Sequence, residues 1–174
     1  PRFFEKFLEG RHYTDIPDMV ARICGICPVA YQVTAAQALE KLFGVELDPW
    51  ARDMRRVFYC GEWIQSHSLH IHLLAAPDFF GCNNAIELAR IAPDEVRRGL
   101  RIQVLGNELM DLFGARSVHP VGVRIGGFHG APAPAQINAI RDKLRAALPE
   151  AEALIRWTAS IAVPQDDQLF LSVA

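Results

Sequence analysis

Cys24 and Cys27 stand three apart in Arg22-Ile23-Cys24-Gly25-Ile26-Cys27-Pro28, where a non-helical stretch should turn into a helix. Proline fits the first helical position, whose amide has no intrahelical acceptor, so Pro28 places Cys27 at or near the N-cap. Both sulfurs then lie near free backbone donors and the positive end of the helix dipole, which favours thiolate over thiol. Such a pair suits a soft transition metal, a redox disulfide or half of a zinc site. A thioredoxin-like motif needs a βαβ pattern around it, and nothing before Arg22 reads as a strand. Zinc calls for a second Cys or His pair at ligand spacing. Cys60, inside an expected helix, and Cys82, in an expected loop, stand alone and read as small buried apolar residues.

The histidines carry less. His67 and His70 share a face of one expected helix and His72 turns away from it, but no carboxylate completes a zincin pattern. They read as satisfied core or interface histidines. His12 and His129 fall in loop-like segments.

The elements that must position the cysteines are helical. Val29, Val33, Ala36, Leu39 and Phe43 recur at helical spacing from Pro28 to Phe43, and Gly44 is a stop. A longer helix is expected from Pro49 to about Ala75, ended by Pro77. Pro93-Asp94 opens a third, closed by Gly114. The fourth starts near Pro134, and Pro149 either kinks it or begins a fifth running to about Ala162. His119 to Phe128 alternates like a strand, with Gly126-Gly127 as a bend. The expected fold class is α+β, helix-rich, with long helices packed side by side and a small strand element.

With 174 residues, 51% of them hydrophobic, the chain can bury a real core. A net charge of -2 gives no footprint for nucleic acid or an anionic membrane. The apolar stretch Leu73 to Ala76 is interrupted by His70, His72 and Asp78, far short of a membrane span. Four cysteines without framework spacing suggest a reducing compartment, hence the cytoplasm.

Arg22-Ile-Cys-Gly-Ile-Cys-Pro-Val-Ala-Tyr31 resembles the amino-terminal metal signature of nickel-iron hydrogenase large subunits, R-x-C-G-x-C-x-x-x-H. Gln65-Ser66-His67-Ser68-Leu69-His70 with Leu73 to Phe79, and His119 to Phe128 with its Gly-Gly pair, are similar to later segments of that family in the right order. The Pro-Val-Ala-Tyr-Gln wording is closest to the cytoplasmic, NAD(P)-linked subgroup. The resemblance implies reversible oxidation of H2 at a nickel-iron centre whose iron carries cyanide and carbon monoxide. Cys24 would be a terminal nickel thiolate and Cys27 a thiolate bridging the two metals. Arg22 would tune thiolate charge nearby, and Tyr31 stands where the family has histidine. Ser66 stands where relatives keep an aspartate above the metals, and His67 would lie close without ligating. Arg2-Phe3-Phe4-Glu5 resembles the family's R-G-x-E element, which would make Glu5 a ligand of a separate magnesium-like ion, though Phe3 replaces the glycine.

The family's large subunits are more than twice as long and end with a second CxxC that completes the site. No such pair exists here. Pro1 without methionine, and the apolar run Leu169 to Ala174, read as cuts at both ends, so 1–174 is expected to be the N-terminal portion of a single large-subunit domain. The resemblance implies a partner, the iron-sulfur small subunit, and, in the NAD(P)-linked subgroup, a flavin-containing diaphorase module. Two other readings stand beside it. One is a non-catalytic relative like the quinone-binding subunit of respiratory complex I, a lineage that has lost these cysteines; the other is a small CxxC metal or redox module.

Overall fold

The computed structural model describes residues 2–163, so the segment Leu169 to Ala174 lies outside the described residues, as does Pro1. Proline and side-chain caps set most helix starts. Helix α1 spans Arg2–Leu8 and buries nothing, and α2 spans Ile16–Ala21 with Pro17 in its first turn. Helix α3 runs Pro28–Phe43 and stops at Gly44, whose left-handed φ of 66° lets its N–H reach Glu40 O. Helix α4, Pro49–Leu69, is capped by the Asp48 carboxylate accepting from Ala51 N at 2.9 Å. After a π turn and the short α5, Ala76–Phe79, Asn84 caps α6, Ala85–Ile91, with its side-chain oxygen, and α7 spans Pro93–Gly114. Strands β1, Val123–Arg124, and β2, Gly127–Phe128, form an antiparallel hairpin pairing Val123 with Phe128. Helix α8, Pro134–Ser160, closes the described chain.

The expected helix beginnings at Pro28, Pro49, Pro93 and Pro134 all occur. Three short helices, α1, α2 and α6, have no counterpart in the sequence pattern, because each is too brief to show a helical period. Pro77 does not end its helix. After Leu69 the backbone widens into a π turn, His70–Ala75, in which Ala76 N–H reaches back five residues to Ile71 O. Pro77 then falls in the first turn of α5, Ala76–Phe79, where its missing amide is tolerated. Pro149 neither ends α8 nor starts a fifth long helix, since one helix runs through it.

Helices α4 and α7 approach closely because glycines face each other across the contact. A Cβ built at Gly106 would stand 2.5 Å from Gln65 N and 2.8 Å from Gly61 O, so only hydrogen fits there. Around this contact lies a core of Val29, Val33, Phe58, Leu109, Met110 and Phe113, completed by Val123 and Phe128 of the hairpin and Ile140 of α8. A second cluster holds Ala76, Leu88, Val96 and Cys82; Cys82 is buried and Cys60 half-buried, and neither belongs to a group of metal-ligating side chains among the described residues.

The hairpin is fixed by a buried ion pair. Arg55 of α4 donates two hydrogen bonds to the Glu40 carboxylate of α3, at 2.8 and 2.6 Å, and a third to Arg124 O at 2.8 Å. Glu40 in turn accepts from Gly126 N at 2.8 Å, where φ is 85°. Elsewhere the surface keeps large apolar side chains in water, among them Trp63, Val104, Leu148 and Ile155. Among the described residues no helix is long and apolar enough to cross a membrane.

Candidate metal centre

The Cys24–Cys27 loop begins where α2 ends, at the backbone bonds of Arg22 N to Met19 O and Ile23 N to Val20 O. It ends where α3 begins, with Cys27 at the N-cap and Pro28 in the first turn, as the spacing predicts. Cys24 is half-buried, the two Cα atoms are 5.5 Å apart, and the structure joins the sulfurs as a disulfide. Two sulfurs this close can also serve one soft metal ion together. Cys24 Sγ accepts from Cys27 N at 3.1 Å, so the loop already supplies one hydrogen bond to sulfur.

Helix α4 holds this loop from beneath. Cys27 does not cap α3 with its side chain, and proline has no N–H, so the first free amides are those of Val29 and Ala30. Glu62 accepts from Val29 N at 2.6 Å and from Ala30 N at 3.2 Å. One turn on, Gln65 Nε2 donates to Ile26 O at 2.8 Å. Glu62 is only 3% exposed, and burial pushes its carboxyl up to about 7 even though the two amide hydrogen bonds pull the other way. Burial and the nearby Glu62 also raise the Tyr59 hydroxyl.

A second brace comes from the segment after α7. His119, held in the left-handed region at φ 52°, shares a hydrogen bond of 2.9 Å between its Nδ1 and Ala21 O, and its Cε1 lies 4.0 Å from where a Cβ on Gly25 would stand. Gln32 of α3 is fully buried and donates to both Pro120 O and the Asp18 carboxylate, each at 2.8 Å. The cysteine loop is therefore pinned between α4 and the 119–120 segment.

The other expected residues are less gathered. Arg22 and Tyr31 are exposed, and among the described residues neither side chain bonds to a cysteine; the Tyr31 ring lies in a shallow recess with Val20, Ala30, Thr34 and Ala35. Ser66 is half-buried on α4 beside Gln65. His67 is exposed and lines a cleft with Trp63, Leu144 and Leu148, between α4 and α8. Glu5 is exposed on α1 and has no hydrogen-bond partner among the described residues. His72 faces inward, stacked on Trp157 with ring centroids 5.5 Å apart, and its burial disfavours the imidazolium. Glu62 lies outside every motif in the sequence, and Gln32, Gln65 and His119, though they fall within family-like segments, carry nothing in sequence that marks them as supports of the loop.

No group of three or more His, Cys, Asp or Glu able to hold a metal occurs among the described residues. Two soft sulfur donors at one helix end fit half of a four-thiolate site and not a complete one. A lone exposed Glu5 gives magnesium a single carboxylate.

Comparison with known proteins shows the family. The family profile for nickel-dependent hydrogenase matches residues 2–97, from α1 through the cysteine loop into α7. The chain belongs to the nickel-dependent hydrogenase family. It is 36% identical over 160 residues to the alpha subunit of sulfhydrogenase 2 from Pyrococcus furiosus, covering 92% of this chain and 39% of that one. To a subunit of the F420-non-reducing hydrogenase from Methanothermobacter marburgensis it is 37% identical over 134 residues, 72% of this chain and 28% of the relative. Among solved structures, an NAD+-reducing NiFe hydrogenase in its H2-reduced state superposes with a TM-score of 0.86 at 32% identity, over 91% of this chain and 37% of that one. The chain thus spans no more than about two-fifths of the length of these hydrogenase relatives. The helix-rich fold with a small two-stranded sheet is that of this family's large subunit.

Proposed function

We propose that the chain is the N-terminal, cysteine-bearing portion of a hydrogenase catalytic subunit carrying out H2 ⇌ 2H⁺ + 2e⁻. The observation that carries this reading is the CxxC loop at the start of α3, pinned by buried polar side chains in a chain of this family. Cys24 would serve as a terminal nickel thiolate and Cys27 as a thiolate bridging nickel and iron, the iron also carrying cyanide and carbon monoxide. Two further thiolates would come from another part of the subunit. When bound, such a centre polarises and splits dihydrogen. The protein's own residues orient the sulfurs: Glu62 and Gln65 fix the loop from one side, His119 from the other, and Cys27 N–H donates to Cys24 Sγ. Glu5 would contribute to a magnesium site, and Arg22, Tyr31, Ser66 and His67 would lie around the metals once the rest of the subunit is in place.

Electrons would pass to an iron-sulfur small subunit. Beyond it we place an NAD(P)-linked, flavin-containing module, in the cytoplasm; the likeness to an NAD+-reducing enzyme supports the NAD link. The sulfur pairing favours a second reading, a redox CxxC pair. One experiment separates them. In the intact subunit, Cys24→Ser or Cys27→Ser should abolish hydrogen-dependent dye reduction and lower nickel content, while Cys60→Ala leaves nickel unchanged. Normal nickel and activity in Cys27→Ser removes the bridging assignment; a nickel-free protein with a titratable disulfide favours the redox pair.

A further inference from the structure

Cys27 is bracketed by two side chains of one neighbouring helix. Gln65 Nε2 donates to the carbonyl of Ile26, the residue before it, at 2.8 Å, and Glu62 accepts from the amides of Val29 and Ala30, the residues after Pro28. Both side chains are buried, at 6% and 3% exposure, and both come from the same face of α4, three positions apart. Neither contact is local: they reach 39 and 32 to 33 residues back along the chain. A cap supplied locally, of the Ser or Asp kind, would satisfy the same amides at the surface. Instead a carboxylate is taken out of water, a placement that needs paired donors to be tolerated.

We propose that Glu62 and Gln65 are positioning residues that together set the place of the Cys27 sulfur relative to Cys24. The inference rests on the reading of Cys27 as a metal thiolate. The two contacts act at opposite ends of the Ile26-Cys27-Pro28 segment, so the segment can neither slide along α4 nor rotate about its own axis. The α4 helix is itself held against α7 at Gly61 and Gly106, where no side chain separates the two. The clamp therefore transmits the α4–α7 contact to the sulfur. Loss of either jaw frees one end of the segment, and loss of Glu62 also leaves the buried Val29 amide without its bond.

The test uses the intact subunit in five forms: wild type, Glu62→Ala, Glu62→Gln, Gln65→Ala and Val96→Ala. Val96 belongs to the separate cluster around Leu88 and serves as a control for general destabilisation. In nickel-free protein, amide hydrogen exchange at Val29 and Ala30 should accelerate markedly in Glu62→Ala and stay near wild type in Glu62→Gln, whose carbonyl still accepts a bond. Nickel retained against a chelator should fall about 10–100-fold in Glu62→Ala and Gln65→Ala. It should stay near wild type in Glu62→Gln and Val96→Ala. Wild-type exchange and nickel retention in Glu62→Ala overturn the clamp, and so does an equal nickel loss in Val96→Ala, which makes the effect one of stability. Should Glu62→Ala fail to accumulate, Gln65→Ala decides by the same nickel measurement. A wild-type subunit that never holds nickel sinks the hydrogenase reading, while the exchange rates still decide whether the clamp exists.

Discussion

Replacing Gly106 by alanine puts a methyl group where α7 touches α4. That Cβ would stand 2.5 Å from Gln65 N, 2.8 Å from Gln65 Cβ and 2.8 Å from Gly61 O. All three belong to the α4 backbone or to the first atom of a side chain, so none can rotate away and the two helices must separate. Overpacking costs about 1–3 kcal/mol, and backbone atoms that cannot turn away put this site at the upper end of that range, about 2–3 kcal/mol. Alanine returns roughly 1 kcal/mol through its better helix propensity. The net loss of about 1–2 kcal/mol corresponds to a fall in Tm of about 2–8 °C for a domain of this size. Gly61→Ala is the milder comparison, because its Cβ would meet Met110 Cγ at 3.1 Å, Leu109 Cγ at 3.2 Å and Gly106 O at 3.3 Å, contacts that a shift of a few tenths of an ångström relieves. There the propensity gain offsets the crowding, and Tm should hardly move. Thermal unfolding followed by circular dichroism, on both variants and wild type, reads the difference. A Gly106→Ala protein as stable as wild type, or a Gly61→Ala protein that is the worse of the two, would refute the close helix contact.

Two further outcomes are expected. The Glu62 carboxyl, raised by burial to about 7 in the fold, ionises near its ordinary value of about 4.3 in the unfolded chain. Between those values the native state binds more protons than the unfolded state, so native stability falls as pH rises through this window and levels off above it. Glu62→Gln removes that slope, gaining at most about 3 kcal/mol on wild type by pH ~8 compared with pH ~4, as read from urea midpoints; parallel stability curves would show that Glu62 does not carry the shift. The Arg55–Glu40 pair is buried and ties the hairpin to α3 and α4. Arg55→Ala leaves the Glu40 charge unmatched and should cost about 3–5 kcal/mol, whereas the double variant Arg55→Met with Glu40→Leu should recover much of that loss. A double variant less stable than the single one would contradict this.

The long helices were readable because proline and glycine punctuate them: Pro28 and Gly44, Pro49, Pro93 and Gly114, Pro134. The end of α4 was not, since a π turn leaves no mark on hydrophobic period and lets Pro77 sit in a new first turn. The cysteine loop was legible from its own residues, and its place at a helix start followed from Pro28. Its supports were not. Glu62 and Gln65 are polar residues on the inward face of α4, alongside Phe58, Gly61 and Ser68, and that interruption of a buried stripe was the available signal. The partner of a buried carboxylate, here two amides more than thirty residues earlier, is set by tertiary packing alone. Glu40 and Arg55 pose the same difficulty: each is an ordinary surface residue by type, and only the hairpin carbonyls and Gly126 N complete their bonding.

The most direct test of Cys24 and Cys27 as metal thiolates is nickel K-edge X-ray absorption, comparing the Cys24→Ser variant with the intact wild-type subunit. Sulfur scatterers at about 2.3 Å should dominate the wild-type nickel shell, as for other thiolate-bound divalent ions. The Cys24→Ser protein should lose nickel, or show fewer sulfurs in what remains. Nickel bound through oxygen and nitrogen alone, or a spectrum unchanged by the substitution, would contradict the assignment.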